Sequence, residues 1–94
     1  MAKPYFFREY VIREDMVESL ELYVNNGVLP GDFLQAVLRN DLVDAAGRAD
    51  EDNLHNLAAF AGWLHNECPS PAWGSREKVA AWAGRFRRKP EGQG

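Results

Sequence analysis

Apolar residues recur at helical spacing in four stretches of the chain, and each stretch follows a residue that commonly begins a helix. In the first stretch, residues 15–25, Asp15 and Glu18 form a capping-box pattern, in which each side chain bonds a backbone N–H of the first turn. The other three stretches begin similarly, with Asp32 before residues 33–46, Asp50 before residues 51–66 and Ser75 before residues 76–89. The pattern therefore predicts four helices.

Glycine and proline residues separate the predicted helices. Gly27 and Gly47 follow the first two helices, a position that favours residues able to adopt positive φ. Two prolines and a glycine between residues 67 and 74 cannot continue a helix, and they separate the third helix from the fourth. We expect the apolar stripe of the second helix to be buried; it consists of Phe33, Leu34, Val37, Leu38, Leu42 and Ala45.

The third predicted helix is apolar on nearly every side between residues 57 and 64. A helix of this kind is usually contacted by several neighbours, so we expect it at the centre of the molecule. Because a chain of 94 residues is too short for two separate cores, the sequence predicts one domain spanning residues 1–94. The predicted fold is all-α, an irregular four-helix bundle with a short extended N-terminal arm.

The two ends of the chain do not follow the helical pattern. Residues 4–12 are rich in aromatic and β-branched residues without clear periodicity, which predicts an extended arm over residues 1–12. We expect Phe6, Phe7 and Tyr10 either to fill a groove beside the third helix or to contact another chain. Residues 90–94 are expected to fray.

The composition is that of an ordinary globular protein, with 46% hydrophobic and 27% charged residues. The longest apolar run, residues 57–64, is far shorter than the roughly 18 residues of a membrane-spanning helix. The N-terminal residues do not form a signal-peptide pattern, and Cys68 is the only cysteine. These features predict a cytoplasmic location and no membrane partner.

Charge is divided unevenly along the chain. Residues 1–75 contain five Lys or Arg and twelve Asp or Glu, a balance of −7, whereas residues 76–94 contain six and two, a balance of +4. The basic end either matches the dipole of its helix or binds phosphates. The residues that would contact nucleic acid in the second case are Arg85, Arg87, Arg88 and Lys89. The acidic body disfavours this role, because it would repel a duplex lying across the helices.

No residue pattern indicates an enzyme, a cofactor or a metal site. His55, His65 and Cys68 are the only histidines and cysteine, whereas a structural zinc site usually has four such ligands. The carboxylates have simpler roles as helix caps and first-turn residues, since a catalytic pair must converge in a cleft. The sequence therefore predicts a protein that is not an enzyme.

Two groups of residues are candidates for contact with a partner protein. Asn40, Asp41 and Asp44 would share one face of the second helix, which is either a solvated face or a polar contact surface. Trp73 either folds over the first turn of the fourth helix, as in a hydrophobic staple, or contacts a partner. Trp82 has helical spacing with other apolar residues and is expected in the core.

Residues 23–82 carry a distinctive set of positions. These are Gly27, Pro30, Gly31, Phe33, Leu34, Ala36, Val37, Leu38, Asn40, Asp41, Leu42, Ala49, Asp50, Asn53, Asn66, Pro69, Trp73, Gly74, Ser75 and Trp82. Through them the chain resembles a group of small helical proteins encoded by bacteriophages and prophages. The resemblance implies a phage-type accessory protein in the cytoplasm of a bacterial host, and it transfers no activity and no catalytic residue.

We therefore expect a non-enzymatic protein that binds a host or phage protein through its polar and acidic surface. The resemblance extends this expectation to inhibition of a host defence system. Acidic proteins can compete for the basic surfaces of nucleic-acid-binding targets, which favours this hypothesis. The alternatives are a nucleic-acid-associated protein that uses the basic C-terminal segment, and a homo-oligomeric structural module joined by the aromatic arm.

Overall fold

The computed structural model describes residues 2–87, with the main chain only for Arg87. This part of the chain is mostly helical, as predicted, but it is not strictly all-α, because it contains a two-stranded sheet. The described residues form six helices, because the second and third predicted helices are each divided in two. The elements are β1 (Tyr5–Phe7), β2 (Tyr10–Ile12), α1 (Glu14–Asn26), α2 (Asp32–Leu38), α3 (Leu42–Arg48), α4 (Glu51–His55), α5 (Leu57–Asn66) and α6 (Arg76–Arg87), with a 3₁₀ turn at Ser70–Ala72.

The predicted extended arm is a β-hairpin. β1 and β2 are antiparallel, with Phe6 opposite Val11 and Phe7 opposite Tyr10. Two residues connect the strands, and the first of them, Arg8, has a φ of 56°, which reverses the chain in a tight turn. The hairpin packs against α5, so its aromatic and β-branched composition corresponds to a short sheet with one covered face.

The prediction that Asp15 caps the first helix is wrong. α1 begins at Glu14, and its N-cap residue, Arg13, makes no side-chain capping bond. The Asp15 carboxylate instead accepts a hydrogen bond from Arg13 Nε at 3.2 Å. The C-terminal prediction is confirmed, because Gly27 follows α1 with a φ of 72° and its N–H donates to carbonyl oxygens of the last turn.

The second predicted helix is two helices, because the chain turns between α2 and α3. Asn40 has a φ of 62°, a conformation that Asn tolerates better than most residues and that ends α2. Asp41 then caps α3 by accepting a hydrogen bond from the N–H of Asp44 at 3.1 Å. The predicted cap at Asp32 is wrong, since Gly31 occupies the N-cap position and Asp32 is the first helical residue.

The third predicted helix is also interrupted, at Asn56 between α4 and α5. Its predicted cap is confirmed, because Asp50 accepts a hydrogen bond from the N–H of Asn53 at 2.8 Å. Asn56 is 4% exposed, and its Oδ1 accepts from the N–H of Val11 at 2.9 Å while its Nδ2 donates to the carbonyl oxygen of Asp52 at 2.8 Å. These side-chain bonds to the backbone join the interruption to β2.

The proline-rich connection and the cap of the last helix are confirmed. Ser75 Oγ accepts a hydrogen bond from the N–H of Lys78 at 3.1 Å at the start of α6. Before it, Gly74 has a φ of 122° and donates its N–H to the carbonyl oxygen of Leu38 at 2.8 Å. This bond fixes the connection to the end of α2. The predicted fraying of residues 90–94 concerns a segment outside the described residues.

The core contains side chains from the hairpin and from most helices, with α5 at its centre. Tyr23 is fully buried, and its hydroxyl donates to the carbonyl oxygen of Ala72 at 2.7 Å. Phe33 and Phe60 pack edge to face with ring centroids 5.1 Å apart, which joins α2 to α5. None of the helices in residues 2–87 is long and apolar enough to cross a membrane.

Candidate protein-binding surface

The structure divides the three N-terminal aromatic residues between the core and the surface. Phe7 is half-buried and lies so close to Gly62 that a Cβ on that glycine would stand 2.5 Å from the ring. Tyr10 packs edge to face against His55, with ring centroids 5.7 Å apart. Phe6 points away from the helices and is 68% exposed. The arm therefore covers its own α5, and Phe6 alone of the three remains largely uncovered.

The two candidate tryptophans outside α5 pack against the core. Trp73 is half-buried and contacts the buried cluster. Trp82 is also half-buried, and its Nε1 donates a hydrogen bond to the carbonyl oxygen of Val24 at 3.1 Å, which joins α6 to α1. Both side chains are therefore partly used by the fold itself.

The basic segment that would contact nucleic acid lies partly outside the described residues, which include Arg85 but neither Arg88, Lys89 nor the side chain of Arg87. Arg85 lies over the ring of Trp82, with its Cζ 4.3 Å from the ring centroid. That face of the indole is therefore not open for stacking with a base.

Three other candidate residues come together where α2 meets α3. Asn40 and Asp41 are exposed in the turn, and Asp44 follows in the first turn of α3. They do not share one face of a continuous helix, because the chain changes direction between them. Instead they surround two exposed apolar residues, Leu42 and Val43. We call this surface, residues 40–44, the elbow.

The elbow leaves large apolar side chains uncovered. Leu42 is 69% exposed and Val43 is 83% exposed, and the next most exposed large hydrophobic residue in the described part of the chain is Phe6 at 68%. Beside Leu42 lies a mostly apolar groove of about 80 Å³ between α3 and α5, lined on the α5 side by Leu57, Ala61 and Leu64. Exposed apolar residues at an apolar groove are typical of protein interaction sites.

The charges around the elbow differ in how they are paired. Arg48 donates from Nε to Asp44 at 3.0 Å and from Nη1 to Asp32 at 3.3 Å. Asp41 accepts the capping bond from the Asp44 N–H through Oδ1, and no Lys or Arg side chain that the structure describes lies within 4.0 Å of its carboxylate. Its second oxygen and its negative charge therefore remain available to a cation of a partner.

The sequence analysis missed Leu42 and Val43 as surface residues, and the prediction that Leu42 is buried is wrong. A continuous helix would have placed Leu42 on the same stripe as Leu38. The turn at Asn40 rotates the following residues away from that stripe. The signal was present in the pair Asn40 and Asp41, since Asn tolerates positive φ and Asp is a strong helix cap.

Among the residues that the structure describes, two side chains with shifted pKa values, Tyr23 and Cys68, are buried in the core. Burial raises the pKa of the Cys68 thiol to about 12. Burial also raises the pKa of the Tyr23 phenol to about 12, with a smaller contribution from the negative charge that an ionised Cys68 would carry. Both side chains are therefore neutral at pH 7. No group of three or more His, Cys, Asp or Glu side chains within residues 2–87 is arranged to hold a metal ion.

Comparison of the chain with protein-family models, with curated proteins and with solved structures finds no match.

Proposed function

We propose that this protein is a non-enzymatic, phage-type accessory protein that binds a protein of a bacterial host through the elbow. The observation that carries the proposal is the exposure of two neighbouring apolar residues, Leu42, which lines an apolar groove, and Val43, which follows it. Two exposed branched aliphatic side chains on a seven-residue helix contribute little to the fold of the monomer. They would become buried in a complex, where apolar contact is the main favourable contribution to binding.

The charge at the elbow favours a partner with a basic group next to its apolar residues. The Asp41 carboxylate forms no ion pair with a described Lys or Arg side chain, and residues 1–75 carry a balance of −7. A net negative surface attracts basic surfaces and speeds their association. We therefore propose a host protein with a basic surface, and the nucleic-acid-binding proteins of host defence systems form the class that the phage resemblance favours.

The size of the groove fits a partner that inserts one aliphatic side chain. A volume of about 80 Å³ is sufficient for part of a leucine, isoleucine or methionine side chain and too small for most of a drug-sized ligand. Leu42 would then pack against that side chain, Val43 would contact the partner outside the groove, and Asp41 would pair with a neighbouring Lys or Arg. This arrangement has an apolar centre and a polar rim, as protein interfaces usually do.

The experiment is an affinity capture from a bacterial lysate with the wild-type protein and matched surface variants. The test variant carries Leu42→Ser and Val43→Ser, and the control variant carries Leu54→Ser, which removes another exposed leucine from α4. We expect the test variant to capture about tenfold less of that protein, or still less, since truncation of the few residues that dominate an interface costs about 2 kcal/mol or more. The Leu54 variant should capture it as well as wild type does.

A second pair of variants tests the proposed role of charge. Asp41→Asn keeps a side-chain oxygen that can cap α3 but removes the negative charge, and Asp50→Asn makes the same change at the cap of α4. We expect weaker capture only for Asp41→Asn. Equal capture by wild type and by the Leu42/Val43 variant would reject the elbow as the binding surface, whatever protein is captured.

A further inference from the structure

A cavity of about 370 Å³ lies where the N-terminal arm meets α1 and the end of α5. Its walls include the aromatic side chains of Tyr5 and Trp63 and the carboxylates of Glu21 and Glu67. It shares no residue with the groove at the elbow. A cavity of this size can hold a long side chain of a partner, since ligand pockets begin at about 300 Å³.

The indole N–H of Trp63 has no hydrogen-bond partner in the described part of the chain. Trp63 is 5% exposed, and its Nε1 donates to no described residue, whereas Trp82 Nε1 donates to the carbonyl oxygen of Val24. Within residues 2–87, Arg39 Nε is the only unpartnered side-chain N or O atom that is fully buried, so solvent reaches Trp63 Nε1. Because Trp63 lines the cavity, its N–H is available there to an oxygen acceptor of a ligand.

The charges around the cavity are mostly negative. An adjoining cavity of about 240 Å³ shares Ala2 and Glu21 with the first and adds the carboxylate of Glu18. Together the two cavities are lined by three carboxylates, those of Glu18, Glu21 and Glu67, and by one ammonium group, that of Lys3. None of these four side chains forms an ion pair with a described residue. The excess negative charge attracts a cation.

We propose that the two cavities bind a basic segment of another protein, with an arginine or lysine side chain in the larger cavity. The charged end of that side chain pairs with Glu21 and Glu67, and its aliphatic part packs against Tyr5. A main-chain carbonyl oxygen of the segment accepts a hydrogen bond from Trp63 Nε1. A second basic residue of the segment pairs with Glu18 in the smaller cavity.

The chemistry of the walls favours a protein segment over an inorganic cation. An inorganic cation such as Ca²⁺ or Mg²⁺ is bound by oxygen ligands alone and makes no use of an N–H donor or of aromatic walls. The carboxylates within residues 2–87 are also not arranged to hold a metal ion. A peptide supplies a carbonyl oxygen for the donor, an aliphatic chain for the aromatic wall and a cation for the carboxylates. This site goes beyond the proposed function, which concerns the elbow alone.

An NMR titration of the full chain with a blocked peptide tests the site. The probe is a six-residue peptide of alternating glycine and arginine, acetylated and amidated at its ends, and the control peptide has citrulline in place of each arginine. Citrulline keeps the shape and the main-chain carbonyl groups but carries no charge. We expect the arginine peptide to shift the indole N–H signal of Trp63, which Trp63→Phe identifies by removing it. The citrulline peptide should bind about tenfold more weakly, or still more weakly.

Variants of the cavity separate local contacts from the effect of net charge. Glu21→Gln and Glu67→Gln should each raise the dissociation constant of the arginine peptide by about twofold to fivefold. Lys3→Gln removes a repulsive charge and should lower it by about twofold. Glu14→Gln is the control, because this exposed residue of α1 lines neither cavity and removes the same charge, and it should leave the dissociation constant unchanged. Circular dichroism checks that each variant is folded.

Several results would overturn the proposal. No shift of the Trp63 indole signal at millimolar arginine peptide and low ionic strength rejects the site. Equal binding of the two peptides, or an effect of Glu14→Gln as large as that of Glu21→Gln, would also reject it. Shifts confined to residues 40–44 would place the binding at the elbow. The probe requires no host protein, so this site and the elbow can fail separately.

Discussion

The two sides of α5 differ in how the chain covers them. On one side the hairpin packs Phe7 over Gly62 and brings Asn56 into contact with β2. On the other side Ala61 is exposed at the groove, and Leu42 stands beside it with 69% of its surface exposed. The same short apolar helix is thus closed by the fold on one side and left partly open on the other. The exposure of Leu42 on this side follows from the turn at Asn40, which directs the residues after it away from the buried stripe of α2.

The largest effect should come from removing the side chain that closes the hairpin side. Phe7→Ala should lower the free energy of unfolding by about 2–4 kcal/mol, because it empties the space over Gly62 and loosens the hairpin. Phe6→Ala, one residue earlier on the same strand, should change it by no more than about 0.5 kcal/mol. Urea unfolding at low protein concentration measures both. Similar values for the two variants would contradict the described orientation of the hairpin.

A smaller effect is expected at the hydrogen bond that joins the hairpin to the helix interruption. Asn56→Ala removes the acceptor of the Val11 N–H and should cost about 1–3 kcal/mol. The Val11 amide should also lose its protection from hydrogen exchange. Asn66→Ala is the control, since the exposed Asn66 makes only a long contact with the Tyr5 hydroxyl, 3.4 Å. An unchanged Val11 amide in the Asn56 variant would show that another group bonds it.

The fold around α5 was only partly predictable from the sequence. The sequence indicated a central apolar helix, the caps at Asp50 and Ser75, and the glycine that ends α1, because each depends on local residue chemistry. The interruptions at Asn40 and Asn56 were missed. Asn56 breaks its helix in favour of a bond to Val11, 45 residues away, and no local pattern reports a contact of that range.

The candidate surface was predictable in its polar residues and not in its apolar ones. The sequence singled out Asn40, Asp41 and Asp44, and the structure brings them to one turn. The sequence pattern assigned Leu42 to a buried stripe, since the spacing of Leu42 from Leu38 fits one continuous helix. Only the direction of the chain after Asn40 decides that Leu42 and Val43 face outward.

The stability of the protein at high pH tests whether the core that contains Cys68 and Tyr23 excludes water. Burial in the folded protein raises the pKa of the Cys68 thiol from its ordinary value of 9.0 to about 12. It raises the pKa of the Tyr23 phenol from 10.0 to about 12. The unfolded chain loses these protons first, so the stabilisation is complete below pH 9 and decreases as pH rises towards 12. We expect a loss of about 1.4 kcal/mol per pH unit for each group over its interval.

Equilibrium unfolding at constant ionic strength between pH 7 and 11.5 measures this loss. Cys68→Ala should remove the decrease that begins near pH 9 and keep the one that begins near pH 10. A wild-type protein whose stability is constant across this range would show that water reaches Cys68 and Tyr23.

A smaller loss of stability is expected when a helix cap is removed. Asp50→Ala, Ser75→Ala and Asp41→Ala each remove a side-chain bond to a first-turn N–H, and each should cost about 1 kcal/mol. Asp15→Ala and Asp32→Ala should each cost no more than about 0.5 kcal/mol, because neither residue caps its helix. Thermal melts compare the five variants. A larger loss for Asp15→Ala than for Asp50→Ala would contradict the described helix starts.

The central claim, that the elbow binds a partner protein, is tested most directly by photo-crosslinking in bacterial cells. A photoreactive amino acid is placed at Val43, which is 83% exposed, and in a separate protein at Leu54, which is 45% exposed on α4. The account predicts a covalent adduct with one host protein from position 43 and none from position 54, and the adduct should disappear when Leu42→Ser is added. Absence of an adduct at position 43, or the same adduct from both positions, would contradict the claim.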